Sequence, residues 1–197
     1  MLPDLRRLAC CFGLMMTLDL VAPALSAQVI QDYTITVSDG VKLEATLALP
    51  DSGAPASGFP TVVLIHGYGG NKDGMAPIST YLTTLAYGCL TYSVRGQGNS
   101  GGLSTTMGPR EVQDLLEVIQ HLRVMPGVNP ERLAVAGGSQ GGIHAWIAAT
   151  HAMPGVKVIA SIVGPPSYSL DLFPYNCIEQ QLHFELNLGS VRYDLVR

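Results

Sequence analysis

Leu133-Ala134-Val135-Ala136-Gly137-Gly138-Ser139-Gln140-Gly141-Gly142 carries the strongest structural signal in the chain. A short apolar run stops at a cluster of small residues with one serine in its middle. A helical pattern follows at once, through Ile143, Trp146, Ile147, Ala148 and Ala149. Gly137 to Gly141 fits G-x-S-x-G, the pattern of a serine held at a sharp strand-to-helix turn. Such a serine occupies a strained backbone position. Side chains two residues before it and two after would collide with each other and with the neighbouring strand, so glycine suits both places. The helix that starts here also aims its unpaired N–H groups at whatever sits over the serine.

Upstream, two more apolar runs end in glycine-rich loops. Thr61 to Ile65 leads into His66-Gly67-Tyr68-Gly69-Gly70, and Cys89 to Val94 leads into Arg95-Gly96-Gln97-Gly98-Asn99-Ser100-Gly101-Gly102. Between them Pro77 opens a helix carrying Ile78, Leu82, Leu85 and Ala86, with Gly88 closing it. Pro109 starts another helix, with Val112, Leu115, Leu116, Ile119 and Leu122 on its apolar face and Glu111, Asp114 and Glu117 elsewhere. Pro126 to Pro130 reads as a loop before the strand Arg132 to Ala136. Downstream, Pro154-Gly155 breaks the helix after the serine, and Val156 to Val163 reads as another buried strand. At the start, Val29 to Val37 and Val41 to Leu49 alternate around Ser38-Asp39-Gly40, an antiparallel hairpin with one wet face. A hairpin followed by strand–helix units predicts an antiparallel edge joined to a parallel sheet with helices on both faces. The three glycine-rich loops then converge on the carboxyl edge of that sheet, where such folds place their function.

Composition agrees. The chain has 197 residues, 47% hydrophobic and 13% charged, with 22 glycines. That is long enough for one domain with a real core and excludes a disordered chain. A net charge of −4 gives no electrostatic reason to expect nucleic acid or an anionic membrane. Residues 1–27 read as a leader: Arg6 and Arg7, a mostly apolar Leu8 to Val21, then small residues with a cleavage point near Ser26-Ala27. A membrane anchor or a buried helix is the alternative, and the apolar run is short for a span. The implied location is secreted or periplasmic. Cys89 and Cys177 remain after the leader; a disulfide between them is permitted, and a buried free thiol at Cys89 is preferred. No metal-ligand spacing is present.

Acyl transfer needs a nucleophile, a base and donors for a developing oxyanion. Ser139 is the candidate nucleophile, and the backbone N–H groups of Gln140 and Tyr68 are the candidate oxyanion donors. Glycines at 67, 69 and 70 let the second loop approach a substrate closely. His66 reads as a structural histidine bonded to its own loop rather than as the base. Gly96 to Gly101 formally matches G-x-G-x-x-G, but several loop residues separate its last glycine from the helix, which argues against nucleotide binding. Arg95 reads as a residue that fixes loops.

Together these motifs resemble the α/β-hydrolase superfamily, and within it the X-prolyl dipeptidyl peptidase and cocaine esterase-like branch. The residues that carry the likeness are His66 to Lys72, Arg95 to Gly102, Asp114, Pro130-Glu131-Arg132 and Gly137 to Gly142. They span roughly residues 30–165. Many members have Asp two residues before the Arg; here Ser93 stands there, a change expected to affect loop packing. The resemblance implies an α/β-hydrolase core over residues 28–165 and a lid-like insertion beginning over 166–197. It implies a serine hydrolase acting on small-molecule ester or peptide substrates without a cofactor, and with no stable membrane insertion once the leader is cleaved. Carboxylesterase or dienelactone-hydrolase-like activity and an inactive remnant are the alternatives. The acid and histidine of the triad are expected outside this chain, together with further C-terminal strands, as in the N-terminal part of a longer hydrolase. Within it, Asp171 and His183 are the remaining candidates; His144 and His151, on or just past the helix after the serine, are expected to face away from it.

Overall fold

The computed structural model describes residues 28–164. The proposed leader, Cys177, Asp171, His183 and the 166–197 segment lie outside the described residues. Six strands form one sheet in the order β1-β2-β4-β3-β5-β6. They are β1 Gln28–Thr36, β2 Lys42–Pro50, β3 Phe59–Ile65, β4 Gly88–Tyr92, β5 Val128–Gly138 and β6 Val156–Ile162. The hairpin β1–β2 pairs antiparallel, β2 joins β4 antiparallel, and β4, β3, β5 and β6 run parallel. The helices are α1 Ala76–Thr84, α2 Pro109–Leu122 and α3 Gln140–Ala148, with a short 3-10 turn at Lys72–Met75 before α1.

Strand alternation sorts the two faces. Val63, Ile65, Leu90, Tyr92, Leu133 and Val135 point into the main core, where they meet Val112, Leu115 and Ile119 of α2 and Ala145 and Ala148 of α3. Val62, Leu64, Ala134, Ala136, Val158 and Ala160 belong to the opposite face, beside Ile78 and Leu82 of α1. The crossovers explain this. The β3–α1–β4 unit steps toward β2, while β4–α2–β5 and β5–α3–β6 step the other way, so right-handed connections put α1 on one face and α2 and α3 on the other.

Four details differ from the sequence expectation. The helix after Pro77 ends at Thr84, and Ala86 rather than Gly88 makes the turn, at φ +61°. Its buried residues are Ser79 and Thr83, while Ile78 and Leu85 are about half exposed. Glu111 and Asp114 are buried with the apolar face of α2, because partners for both carboxylates come from neighbouring loops. Strand β5 starts at Val128, inside the expected loop, because Phe59 pairs with Val128. Finally, β6 is not a buried strand. Among the described residues it has one neighbour, β5, and Val158 and Ile162 are more than half exposed.

Candidate active site

β3, β4 and β5 end level, with Ile65 opposite both Tyr92 and Gly137. Their following loops therefore meet at one sheet edge. The chain leaves β3 toward α1 on one face and β5 toward α3 on the other, so a crevice opens between the two strand ends.

Ser139 sits at that point as the N-cap of α3, with φ +53° and ψ −120°. A non-glycine residue at such angles is strained by roughly 1–3 kcal/mol and persists only where its surroundings hold it. Here the Ser139 N–H donates to Ile162 O of β6 at 2.9 Å, and Ser139 O accepts from Ile143 N–H at 3.0 Å. The side chain is exposed and makes no capping hydrogen bond, so its hydroxyl is not consumed by the helix it precedes. The glycines show why the motif has its spacing. A Cβ on Gly137 would lie 2.4 Å from Gly141 C and O, and one on Gly141 would lie 2.2 Å from Ile65 O. Both obstacles are backbone. Gly138, between Gly137 and Ser139, has nothing nearer than 3.9 Å and needs no glycine for space.

The loop after β3 lies against the serine: a Cβ on Gly67 would be 3.6 Å from Ser139 Cβ. His66, 3% exposed, fixes this loop. Val94 N–H donates to His66 Nε2 at 2.9 Å, so the proton is on Nδ1, which donates to Gly67 O at 2.6 Å. Burial outweighs the Gly67 hydrogen bond and pulls the imidazole pKa below its ordinary value, which keeps the ring neutral. With both ring nitrogens engaged in the backbone, His66 is the structural histidine read from the sequence.

The loop after β4 is braced from three sides. Arg95 donates to Asp114 from Nε at 2.7 Å and from Nη2 at 2.8 Å, and its Nη1 lies 2.8 Å from Asp39 Oδ2. The Asp114 hydrogen bond dominates in raising the guanidinium pKa, against the cost of burial. Arg110 adds a second cation to Asp114, at 2.7 Å. Arg95 therefore fixes loops, as expected. Ser93 Oγ donates to Glu44 Oε1 and accepts from Lys72 N–H at 2.9 Å, so this position does serve loop packing. Glu44 also takes Asn99 N–H at 2.9 Å.

The side-chain partnerships of other buried polar residues were not legible in the sequence. Gln97 and Gln140 are fully or almost fully buried and hydrogen-bonded to each other. Glu111 accepts from Ser104 Oγ, Thr105 N–H and Gly108 N–H, and its Oε2 lies 3.6 Å from His144 Nε2 on α3. That last distance is too long for a hydrogen bond. Burial would raise the Glu111 carboxyl; His144 and these donors outweigh it and hold it below its usual range. His144 is thus buried beside Glu111 of α2, and exposed His151 bonds locally with Thr150 and Ile147. Cys89 is a buried free thiol, its pKa pushed by burial up to about 12. Among the described residues no group of three or more His, Cys, Asp or Glu side chains is placed to hold a metal ion. No helix among them is long and apolar enough to cross a membrane.

A groove of about 600 Å³ runs from Ser139 along the bare sheet face, lined by Leu64, Met75, Ile78, Leu82, Val158 and Ile162. The arrangement offers an exposed serine hydroxyl, helix-start N–H groups beside it and an apolar trough leading away.

The family model described as X-Pro dipeptidyl-peptidase (S15 family) matches residues 39–191. Uncharacterized protein YfhR of Salmonella typhi is 30% identical over 121 residues, which cover 61% of this chain and 41% of YfhR. Dipeptidyl peptidase family member 6 of Caenorhabditis elegans is 31% identical over 137 residues, covering 66% of this chain and 18% of that protein. The crystal structure of the alpha/beta hydrolase GrgF from Penicillium sp. sh18 superimposes with a TM-score of 0.56 at 26% identity, covering 67% of this chain and 45% of GrgF. The chain thus spans less than half the length of each of these proteins.

Proposed function

The chain belongs to the X-Pro dipeptidyl-peptidase (S15) family, and from that premise we propose that it is an exported serine hydrolase cleaving ester or peptide acyl bonds. Ser139 Oγ attacks the acyl carbon. The carbonyl oxygen becomes an oxyanion that the Gln140 N–H, at the start of α3, and the Tyr68 N–H, in the loop against Ser139, stabilise. The base that takes the serine proton, and the acid that orients it, come from outside the described residues; Asp171 and His183 are the candidates within this chain. No cofactor takes part. Export rests on the leader read over residues 1–27.

The observation that carries the reading is the backbone of Ser139. Its positive φ is strained, its hydroxyl is exposed and caps nothing, and two clashing glycine positions enforce the turn. A merely structural serine has no need of that strain. X-prolyl peptidase or related esterase activity is the first reading, supported by the family. Carboxylesterase or dienelactone-hydrolase-like activity is the second, favoured by the aliphatic lining of the groove that Ser139 ends. A panel of p-nitrophenyl esters and X-Pro-p-nitroanilides, read for the wild type and for Ser139→Ala, tests both. Ser139-dependent anilide turnover above ester turnover supports the peptidase. The reverse order supports the esterase. Turnover unaffected by Ser139→Ala would refute both.

A further inference from the structure

Gln97 has no part in the reaction described so far, yet it is completely buried in the loop between the two proposed oxyanion donors. Its side-chain Oε1 accepts Gly69 N–H at 2.8 Å, and its Nε2 donates to Gln140 Oε1 at 3.0 Å. Gly69 directly follows Tyr68, and Gln140 directly follows Ser139. We propose that Gln97 is a positioning residue for the oxyanion donors: its amide joins the loop after β3 to the start of α3 and sets the separation between them. The proposal rests on the assignment of Ser139 as nucleophile.

The amide orientation follows from the partners. A backbone N–H only donates, so the atom facing Gly69 is the oxygen of Gln97 and the atom facing Gln140 is the nitrogen. Gln140 must then present its own oxygen. Its Nε2 is left buried without a hydrogen-bond partner in the described structure. The pattern is dictated from the Gly69 side, where the backbone N–H can only donate. Gln97 itself stands on a rigid turn. Its N–H donates to Val94 O at 2.9 Å and its carbonyl accepts Ser100 N–H at 3.1 Å. The adjacent Arg95 is clamped to α2 through Asp114. A fixed mount, an amide of the right length and two partners flanking the serine make a strut.

The residue type fits the task. Asparagine is one methylene short of spanning both partners, and methionine has the length without the hydrogen bonds. A carboxylate would put negative charge beside a developing oxyanion. An uncharged amide holds the donors without opposing that charge. Electrostatic stabilisation depends on donors fixed before the reaction, so slackness of a few tenths of an ångström between residues 68 and 140 reaches the rate directly.

The test is phosphonylation of Ser139 by a fluorophosphonate on the full-length protein, triad base included, with kinact and KI measured separately. Gln97→Met is expected to lower kinact about tenfold with KI within about twofold. Gln140→Met, which cuts the far end of the strut, is expected to do the same, and the double variant to be no slower than either. Equal kinact in wild type and Gln97→Met overturns the proposal, as does a loss confined to KI or an additive, roughly hundredfold loss in the double variant. If Gln97→Met fails to fold, Gln140→Met decides alone by the same criterion. A folded full-length wild type that carries the triad base and still leaves Ser139 unlabelled refutes the Ser139 assignment itself, a different result from labelling that ignores Gln97.

Discussion

Replacing Gly141 by alanine separates tertiary geometry from local propensity. In an isolated helix this exchange stabilises, by about 1 kcal/mol. In this fold the added Cβ would stand 2.2 Å from Ile65 O and 2.8 Å from His66 O. Ordinary contact begins near 3.4 Å, so α3 must retreat from β3 by roughly 1 Å. Neither obstacle is a side chain that can rotate away: Ile65 is paired on both sides, with Tyr92 and Gly137. Overpacking of side chains costs about 1–3 kcal/mol, and a backbone obstacle belongs at or above the top of that range. After the helix gain, a net loss of about 2–3 kcal/mol is expected, a large share of a typical domain's stability. With a urea slope of about 2 kcal/mol/M, the midpoint falls by about 1–1.5 M. Gly137→Ala, whose Cβ would meet Gly141 C and O at 2.4 Å, is expected to behave alike. Gly138→Ala has only Ile162 O at 3.9 Å nearby and is expected to stay within about 0.5 kcal/mol of wild type. A Gly141→Ala midpoint at or above wild type, or a Gly138→Ala loss as large as the other two, would refute the steric account of the motif.

Other expectations follow from single observations. Ser139→Gly relieves the positive φ and is expected to raise stability by about 1 kcal/mol in urea titration while abolishing fluorophosphonate labelling; a less stable variant would show that Ser139 is not strained. Arg95→Met leaves Asp114 buried with only Arg110 beside it, and is expected to cost about 2–4 kcal/mol, read as a lowered denaturation midpoint. His66 has a folded pKa below its unfolded value of about 6.5, so the unfolded chain binds the extra proton first. Stability is therefore expected to fall as pH drops through 6.5, by up to about 1.4 kcal/mol per pH unit, and this slope should shrink in His66→Asn; an unchanged slope contradicts a buried neutral His66. The Cys89 thiol, pushed up to about 12 and buried, is expected to resist a disulfide reagent at pH 8 until urea unfolds the chain, with mass spectrometry reporting the site.

The hairpin, the parallel strands, the three helices and the elbow were legible because each is written in local pattern: period-two runs, a 3.6-residue stripe on α2, and glycines at turns. What escaped the sequence depends on partners far along the chain. Glu111 and Asp114 read only as lying off the apolar face of α2, because nothing local shows that Ser104, Thr105, Arg95 and Arg110 will surround them. Ser79 and Thr83 are buried in place of Leu85 because α1 lies across β4, where Cys89 meets Ser79. Val156 to Val163 has the apolar run of a buried strand, yet β6 is open on its groove face. At the site, Ser139, the glycine loops and the role of His66 followed from motif spacing. The Gln140 N–H also followed from the motif, but the side-chain bridge between Gln97 and Gln140 did not, since an amide in a glycine-rich loop gives no signal until the loops meet. The one clue is that Gln97 stands between glycines, where a long side chain has no local use.

The central claim is that the strained Ser139 is a nucleophile. Mass-spectrometric mapping of a fluorophosphonate adduct on the folded full-length protein, triad base included, is the deciding experiment. The account predicts one adduct, on the peptide containing Ser139, that is lost on urea unfolding and absent from Ser139→Ala. An adduct that persists in Ser139→Ala, or a folded full-length wild type carrying the base with no adduct at Ser139, refutes it.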